Sequence, residues 1–132
     1  MSSKILLDTN AYSELSRGDD RVLDLLAEAE RVYIPVTVLG ELFAGFRGGS
    51  KEQWNRRKLK VFLGRPTVRV LQTSVEIADI YSEIVQRLRK KRRPIPTNDI
   101  WIAAHAMDCG AVLVSFDAHF EAVEGLRRWK PE

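Results

Sequence analysis

The sequence predicts an α/β domain built on a mostly parallel sheet. Ile5-Leu6-Leu7, Val32-Tyr33-Ile34 and Ala111-Val112-Leu113-Val114 are short apolar runs without in–out alternation. Such runs read as strands buried on both faces. Between them lie segments whose apolar residues recur at helical spacing, such as Val22, Leu25, Leu26 and Ala29. Strand and helix alternate along the chain, as in parallel βαβ units.

The first strand, Lys4 to Leu7, runs straight into Asp8. A short helix follows over Asn10 to Arg17 and stops at Gly18. Asp19-Asp20 open the second helix. Pro35 marks the end of the second strand, and Thr37 is the expected N-cap of the next helix. Leu39, Leu42, Phe43 and Phe46 form that helix's apolar face, and Gly48-Gly49 stop it. Residues 51–63 make a basic amphipathic helix, where Trp54, Leu59, Phe62 and Leu63 sit among Arg56, Arg57, Lys58 and Lys60. Gly64 and Pro66 break it before a strand over Val68-Arg69-Val70-Leu71.

Ser74 caps a long helix carrying Ile77, Tyr81, Ile84, Val85 and Leu88. It ends in Arg87, Arg89, Lys90, Lys91, Arg92 and Arg93, where cations suit the helix dipole. Thr97 or Asn98 caps the next helix, which runs to about Met107. Ile100, Trp101, Ile102, Ala103, Ala104, Ala106 and Met107 cover nearly its whole circumference, so it is buried. Gly110 ends it. After the last apolar strand come Ser115-Phe116-Asp117, a short helix and a basic tail.

The 132 residues suit one domain, 1–132. A chain 45% hydrophobic and 30% charged has the balance of a soluble globular protein. No apolar run reaches membrane-span length. The Met1-Ser2-Ser3-Lys4-Ile5 start lacks a secretory pattern, and Cys109 alone permits no internal disulfide. These features point to the cytoplasm. The net charge of +3 is mild, but the cations are bunched.

The chemistry is expected from four acids. Asp8 and Asp117 each follow a buried strand, and parallel strands put those ends on one sheet edge, where sites form. Asp99 lies in the first turn of a buried helix, on a stripe with Ile102, Ala103 and Ala106. Glu41 shares a stripe with Val38 and Gly45, and the small Gly45 lets a ligand approach. Each acid also has an ordinary reading. Asp8 is an N-cap, Glu41 a solvated charge, Asp99 a dipole partner and Asp117 a turn residue. Together they are more specific. Each close carboxylate pair costs on the order of 4 kcal/mol at an effective dielectric near 20. Protonation or cations must relieve that. Mg²⁺ or Mn²⁺ suits an all-carboxylate set, and no Cys/His cluster suggests zinc.

These residues resemble the PIN-domain family, specifically its VapC-type toxin ribonucleases, over essentially the whole chain. Asp8-Thr9-Asn10 looks like that family's opening D-T-N. Val36 to Gly45 is similar to its V-x-x-x-x-E-L-x-x-G helix. Asn98-Asp99-Ile100-Trp101-Ile102-Ala103-Ala104 looks like D-x-x-I-A-A, the most specific piece. Val112 to Phe120 resembles the L-V-T-x-D-x-x-F ending, with Ser115 in place of the commoner Thr.

The resemblance implies a Rossmann-like sheet with helices on both faces and a Mg²⁺- or Mn²⁺-dependent endoribonuclease, the toxin of a toxin–antitoxin pair. It implies a homodimer and a cognate VapB-type antitoxin. By the same resemblance Asp8, Asp99 and Asp117 hold the metal, and Glu41 completes the catalytic set. The expected reaction is in-line hydrolysis of RNA phosphodiesters by a metal-activated water. Asn10 and Ser115 are candidate hydrogen-bonders behind the ligands.

Arg87 to Arg93 and Arg56 to Lys60 are candidate phosphate-tracking rims, or merely solvated faces. Trp54 and Trp101 could stack on bases or pack in the core or a dimer. His105 and His119 could run metal-free acid–base cleavage, which activity in EDTA would reveal. His105 reads better as a core residue, and His119 as a neighbour of Asp117. The rival readings are a PIN-type nuclease acting on DNA or structured nucleic acid, a non-catalytic nucleic-acid-binding domain, and a phospho-acceptor receiver. The last expects an N-terminal acidic pair and a lysine beyond a late strand, which this chain lacks.

Overall fold

The computed structural model describes residues 3–131. Met1-Ser2 and Glu132, the ends of the domain expected over 1–132, lie outside the described residues. Five strands form one sheet: β1 (Lys4–Leu7), β2 (Arg31–Pro35), β3 (Val68–Leu71), β4 (Val112–Val114) and β5 (Arg128–Trp129). The helices are α1 (Thr9–Ser16), α2 (Asp20–Glu28), α3 (Val36–Arg47), α4 (Glu52–Leu63), α5 (Val75–Lys91) and α6 (Thr97–Cys109), with a 3₁₀ turn over Ala118–Ala122.

Every strand pair is parallel, in the order β3-β2-β1-β4-β5. Right-handed crossovers then put α1 to α4 on one face and α5 and α6 on the other. Helix packing agrees: α1 lies against α2 and α3, α3 against α4, and α5 against α6. The central strands are apolar because both their faces are covered. Leu6, Leu7, Val32, Ile34, Leu113 and Val114 are wholly buried. No helix among the described residues is long and apolar enough to cross a membrane.

The chain order reverses between β1 and β4. That is the switch point of an open α/β sheet, and its crevice lies at the strands' carboxyl ends. Leu7 pairs with Val114, so the next residues, Asp8 and Ser115, stand side by side at the mouth of the crevice.

Three local expectations need correction. Thr37 is not an N-cap. Pro35 holds that position, and Thr37 Oγ1 lies buried in the first turn without a hydrogen-bond partner. Neither Thr97 nor Asn98 caps α6, because Pro96 does. Proline's fixed φ suits a helix entry, but its side chain accepts no hydrogen bond. The expected basic tail contains β5, a two-residue strand whose Arg128 and Trp129 pair with Leu113 and Val114. A pair this short carries no apolar periodicity. Its anchor is a ring contact, Trp129 edge-on to Phe116 at 5.4 Å.

Candidate active site

Asp8 fills its expected N-cap role and is tied to the far side of the crevice as well. It N-caps α1 by accepting the Ala11 N–H at Oδ1 (2.8 Å), while Oδ2 accepts the Ser115 hydroxyl (2.5 Å). Ser115 Oγ also accepts the Asp117 N–H at 3.0 Å. One buried hydroxyl therefore ties the end of β1 to the segment after β4. Asp117 caps the 3₁₀ turn by accepting the His119 N–H (2.9 Å).

The helix-borne acids close the crevice from above. Asp99 lies in the first turn of α6 with its side chain 17% exposed. His119 Nδ1 sits 3.1 Å from Asp99 Oδ2 and 3.1 Å from Asp117 Oδ1. Glu41, on α3, accepts the Thr9 hydroxyl at 2.8 Å and the Asn98 amide at 3.4 Å. The flanks of two acids thus hold a third: Thr9 follows Asp8, and Asn98 precedes Asp99.

Electrostatics follow from this crowding. Burial pushes the Asp8 carboxyl up to about 6. The charges of Asp99 and Asp117 add to the rise, and the Ser115 and Ala11 hydrogen bonds oppose it. Burial also raises Asp99, with Asp117 and Glu41 adding and His119 pulling down. Protonation or a bound cation relieves carboxyls crowded in this way. Asp99, Asp117 and His119 each offer a donor atom, all within 4.8 Å of one another. Asp8 stands behind them through Ser115. A set of oxygens with one imidazole nitrogen and no thiolate fits a hard divalent ion.

The structure brings Asp8, Asp99, Asp117 and Ser115 to one place, with Glu41 beside them. Asn10 is not among their partners: its side chain is exposed and makes no hydrogen bond among the described residues. Sequence reasoning missed Thr9 and Asn98 as supports. Their only signal was adjacency to Asp8 and Asp99. His105 is wholly buried in α6, with Nε2 3.1 Å from Thr73 Oγ1. Trp101 stacks on Tyr81 at 4.0 Å.

Arg87, Arg89, Lys90 and Lys91 are exposed in the last turns of α5, and Arg92 and Arg93 are exposed just beyond it. Lys91 reaches the Ala122 carbonyl and pairs with Glu124 at 2.7 Å, which ties this end of α5 to the segment beyond Asp117. The short 92–96 connection then returns the chain to the Asp99 end of α6. In the other basic helix, Lys58 donates to the Ser16 carbonyl, while Arg56 lies over Phe43 and bonds Glu52.

Four acids at the switch point of a parallel sheet define a class, and the PIN-domain profile matches residues 5–126. The chain belongs to the PIN-domain family. Within it the chain is similar to Ribonuclease VapC2 of Rickettsia felis, 34% identical over 114 residues that cover 83% of this chain and 84% of that one. Ribonuclease VapC1 of Haemophilus influenzae (strain R2866) is 28% identical over 127 residues, covering 92% and 93%. Among solved structures, VapBC2 from Rickettsia felis bound to a DNA fragment from their promoter superposes with a TM-score of 0.86 at 28% identity. That match covers 98% of this chain and 99% of its counterpart.

Proposed function

We propose that this protein is a divalent-metal-dependent endoribonuclease and the toxin of a toxin–antitoxin pair, with a VapB-type antitoxin as its partner. A cytoplasmic location and a homodimer belong to the same reading. Ribonuclease names on relatives that span most of this chain support the substrate class, and a solved VapBC complex supports the partner. The observation that carries the chemistry is the Asp8–Ser115–Asp117 chain of hydrogen bonds, with Asp99 and His119 facing it.

Asp8, Asp99 and Asp117 would hold Mg²⁺ or Mn²⁺, with His119 as a further donor in reach. A bound ion of this kind lowers the pKa of water and offsets charge on a phosphoryl oxygen. The protein's own residues do the rest. Ser115 fixes the Asp8 carboxylate and the Asp117 backbone in one arrangement. Thr9 and Asn98 hold the Glu41 carboxylate, which would orient or deprotonate the attacking water. Exposed Arg87, Arg89, Lys90, Lys91, Arg92 and Arg93 offset the repulsion between an acidic crevice and the backbone it cuts.

The test is cleavage of total RNA by the purified chain with and without EDTA, beside Asp99→Asn. Cleavage that needs added Mg²⁺ or Mn²⁺ and is lost in the variant is the expected result. Full activity in EDTA, or in Asp99→Asn at matched Mg²⁺, refutes it.

A further inference from the structure

Beside the acids runs a groove of about 450 Å³ between α1, α3 and α4. Thr9 and Glu41 line its acidic end, and Lys51, Trp54 and Lys58 line it further along. Gly45 lies one turn beyond Glu41 on α3. A Cβ built there meets nothing within 4 Å, so the way past Glu41 toward α4 is open.

Trp54 is unlike the other two tryptophans. Trp101 stacks on Tyr81 and Trp129 packs on Phe116, whereas Trp54 has no ring partner among the described residues and is 56% exposed. Arg17, which also lines the groove, pairs with Glu14 at 2.7 Å, but the two lysines beside Trp54 are not neutralised by carboxylates among the described residues. Lys58 gives its ammonium to a backbone carbonyl, and Lys51 has no ion pair among the described residues. An exposed indole between two ammonium groups, continuous with the acidic crevice, matches a polyanion that carries flat π faces.

We infer that this groove is a nucleotide subsite for single-stranded RNA, in which a base near the scissile bond stacks on Trp54 while Lys51 and Lys58 hold the flanking phosphates. The inference rests on the nuclease reading and adds a residue that positions the substrate. An unpaired base is required, because in a duplex both faces are already stacked. Trp54 then acts mainly on substrate binding, since stacking is the same before and during the reaction.

The experiment uses single-stranded RNA oligonucleotides with 2-aminopurine at successive positions, bound to the full chain carrying Asp99→Asn. Fluorescence should be quenched at one position near the cleavage site. Adding Trp54→Ala should remove that quench, and Trp54→Phe should keep part of it. In the active chain, Trp54→Ala should raise KM on the order of tenfold with kcat within about twofold, and Trp54→Phe should restore most of the loss. Circular dichroism checks the fold, which the exposed position leaves unburdened.

Unchanged KM together with an unchanged quench pattern overturns the subsite. So does a Trp54→Ala variant that handles RNA normally but no longer binds its protein partner, which makes the groove a protein-docking surface. A wild-type chain that quenches the probe at Trp54 yet cleaves nothing keeps the subsite and sinks the nuclease reading instead.

Discussion

The two halves of the acidic crevice are built differently. The strand half, Asp8 with Ser115, is 4% exposed at each residue and is fixed by backbone register: Leu7 opposite Val114 leaves its successors side by side. The helix half, Glu41 and Asp99 with His119, is more open, with side chains 17% exposed at Asp99 and 49% at His119, and is held by side chains alone. Main-chain pairing permits little play, whereas a Thr, an Asn and a His can each rotate. The strand half is therefore a rigid platform, and the helix half is the part able to adjust around a cation or a phosphate.

If the platform matters most, Asp8→Asn should produce the largest change, a fall in kcat of about 10³-fold at saturating Mg²⁺. Native-like circular dichroism would assign that loss to chemistry rather than folding, and a variant retaining wild-type rates would end the distinction between the halves. The same substitution tests the electrostatics. Asp8 titrates at about 6 in the fold against 3.8 as an ordinary carboxyl, so the fold binds its proton more tightly than the unfolded chain does. Asp8's own contribution to metal-free stability is therefore most favourable below pH 4, falls as pH rises from 4 to 6, and stays lower above that by about 3 kcal/mol. Thermal melts in EDTA should show Asp8→Asn above wild type at pH 8, with the gap closing near pH 4. Divalent ion should raise the wild-type Tm more than the variant's. A gap that does not change with pH would remove Asp8 as the source of the strain.

Ser115→Ala comes next. It leaves Asp8 its Ala11 hydrogen bond but frees one carboxylate oxygen and the Asp117 N–H. Activity should fall about 10- to 100-fold, with metal affinity falling in parallel by calorimetry. On the helix side, Asn98→Ala and His119→Ala should each cost less than Ser115→Ala, about tenfold or below, because a mobile carboxylate finds water in place of the lost partner. If either costs more than Ser115→Ala, the helix half is the rigid one. Smallest of all is Asn10→Ala, whose exposed side chain holds none of the acids, and assays at matched Mg²⁺ should find it within about twofold of wild type.

The legibility of the chain follows the same division. Buried strands announce themselves because a sheet covered on both faces demands continuous apolar runs, and β1, β2 and β4 were readable for that reason. β5 was not, since two residues cannot show a period. Helix caps at Thr37 and Thr97 or Asn98 were misread because a proline one or two residues earlier already sets the helix entry. Of the site, the four acids were legible as residues next to strand ends and on apolar stripes, and the resemblance to the PIN-domain family put them in order. Asn10 and Thr9 are neighbours in the same motif, and nothing local says which one faces the acids.

Apolar runs, helical spacing and the positions of its acids let the chain alone specify a parallel α/β sheet with carboxylates at its carboxyl edge. Those are short-range properties, written in periods of two to four residues. The hydroxyl shared by Asp8 and Asp117, the support of Glu41 by Thr9 and Asn98, and the separation of exposed Trp54 from its stacked counterparts came only with the packed arrangement. The contacts that hold the acids join residues 32, 57 and 107 positions apart, which the packing of the parallel strands and their helices brings together, not any pattern along one segment.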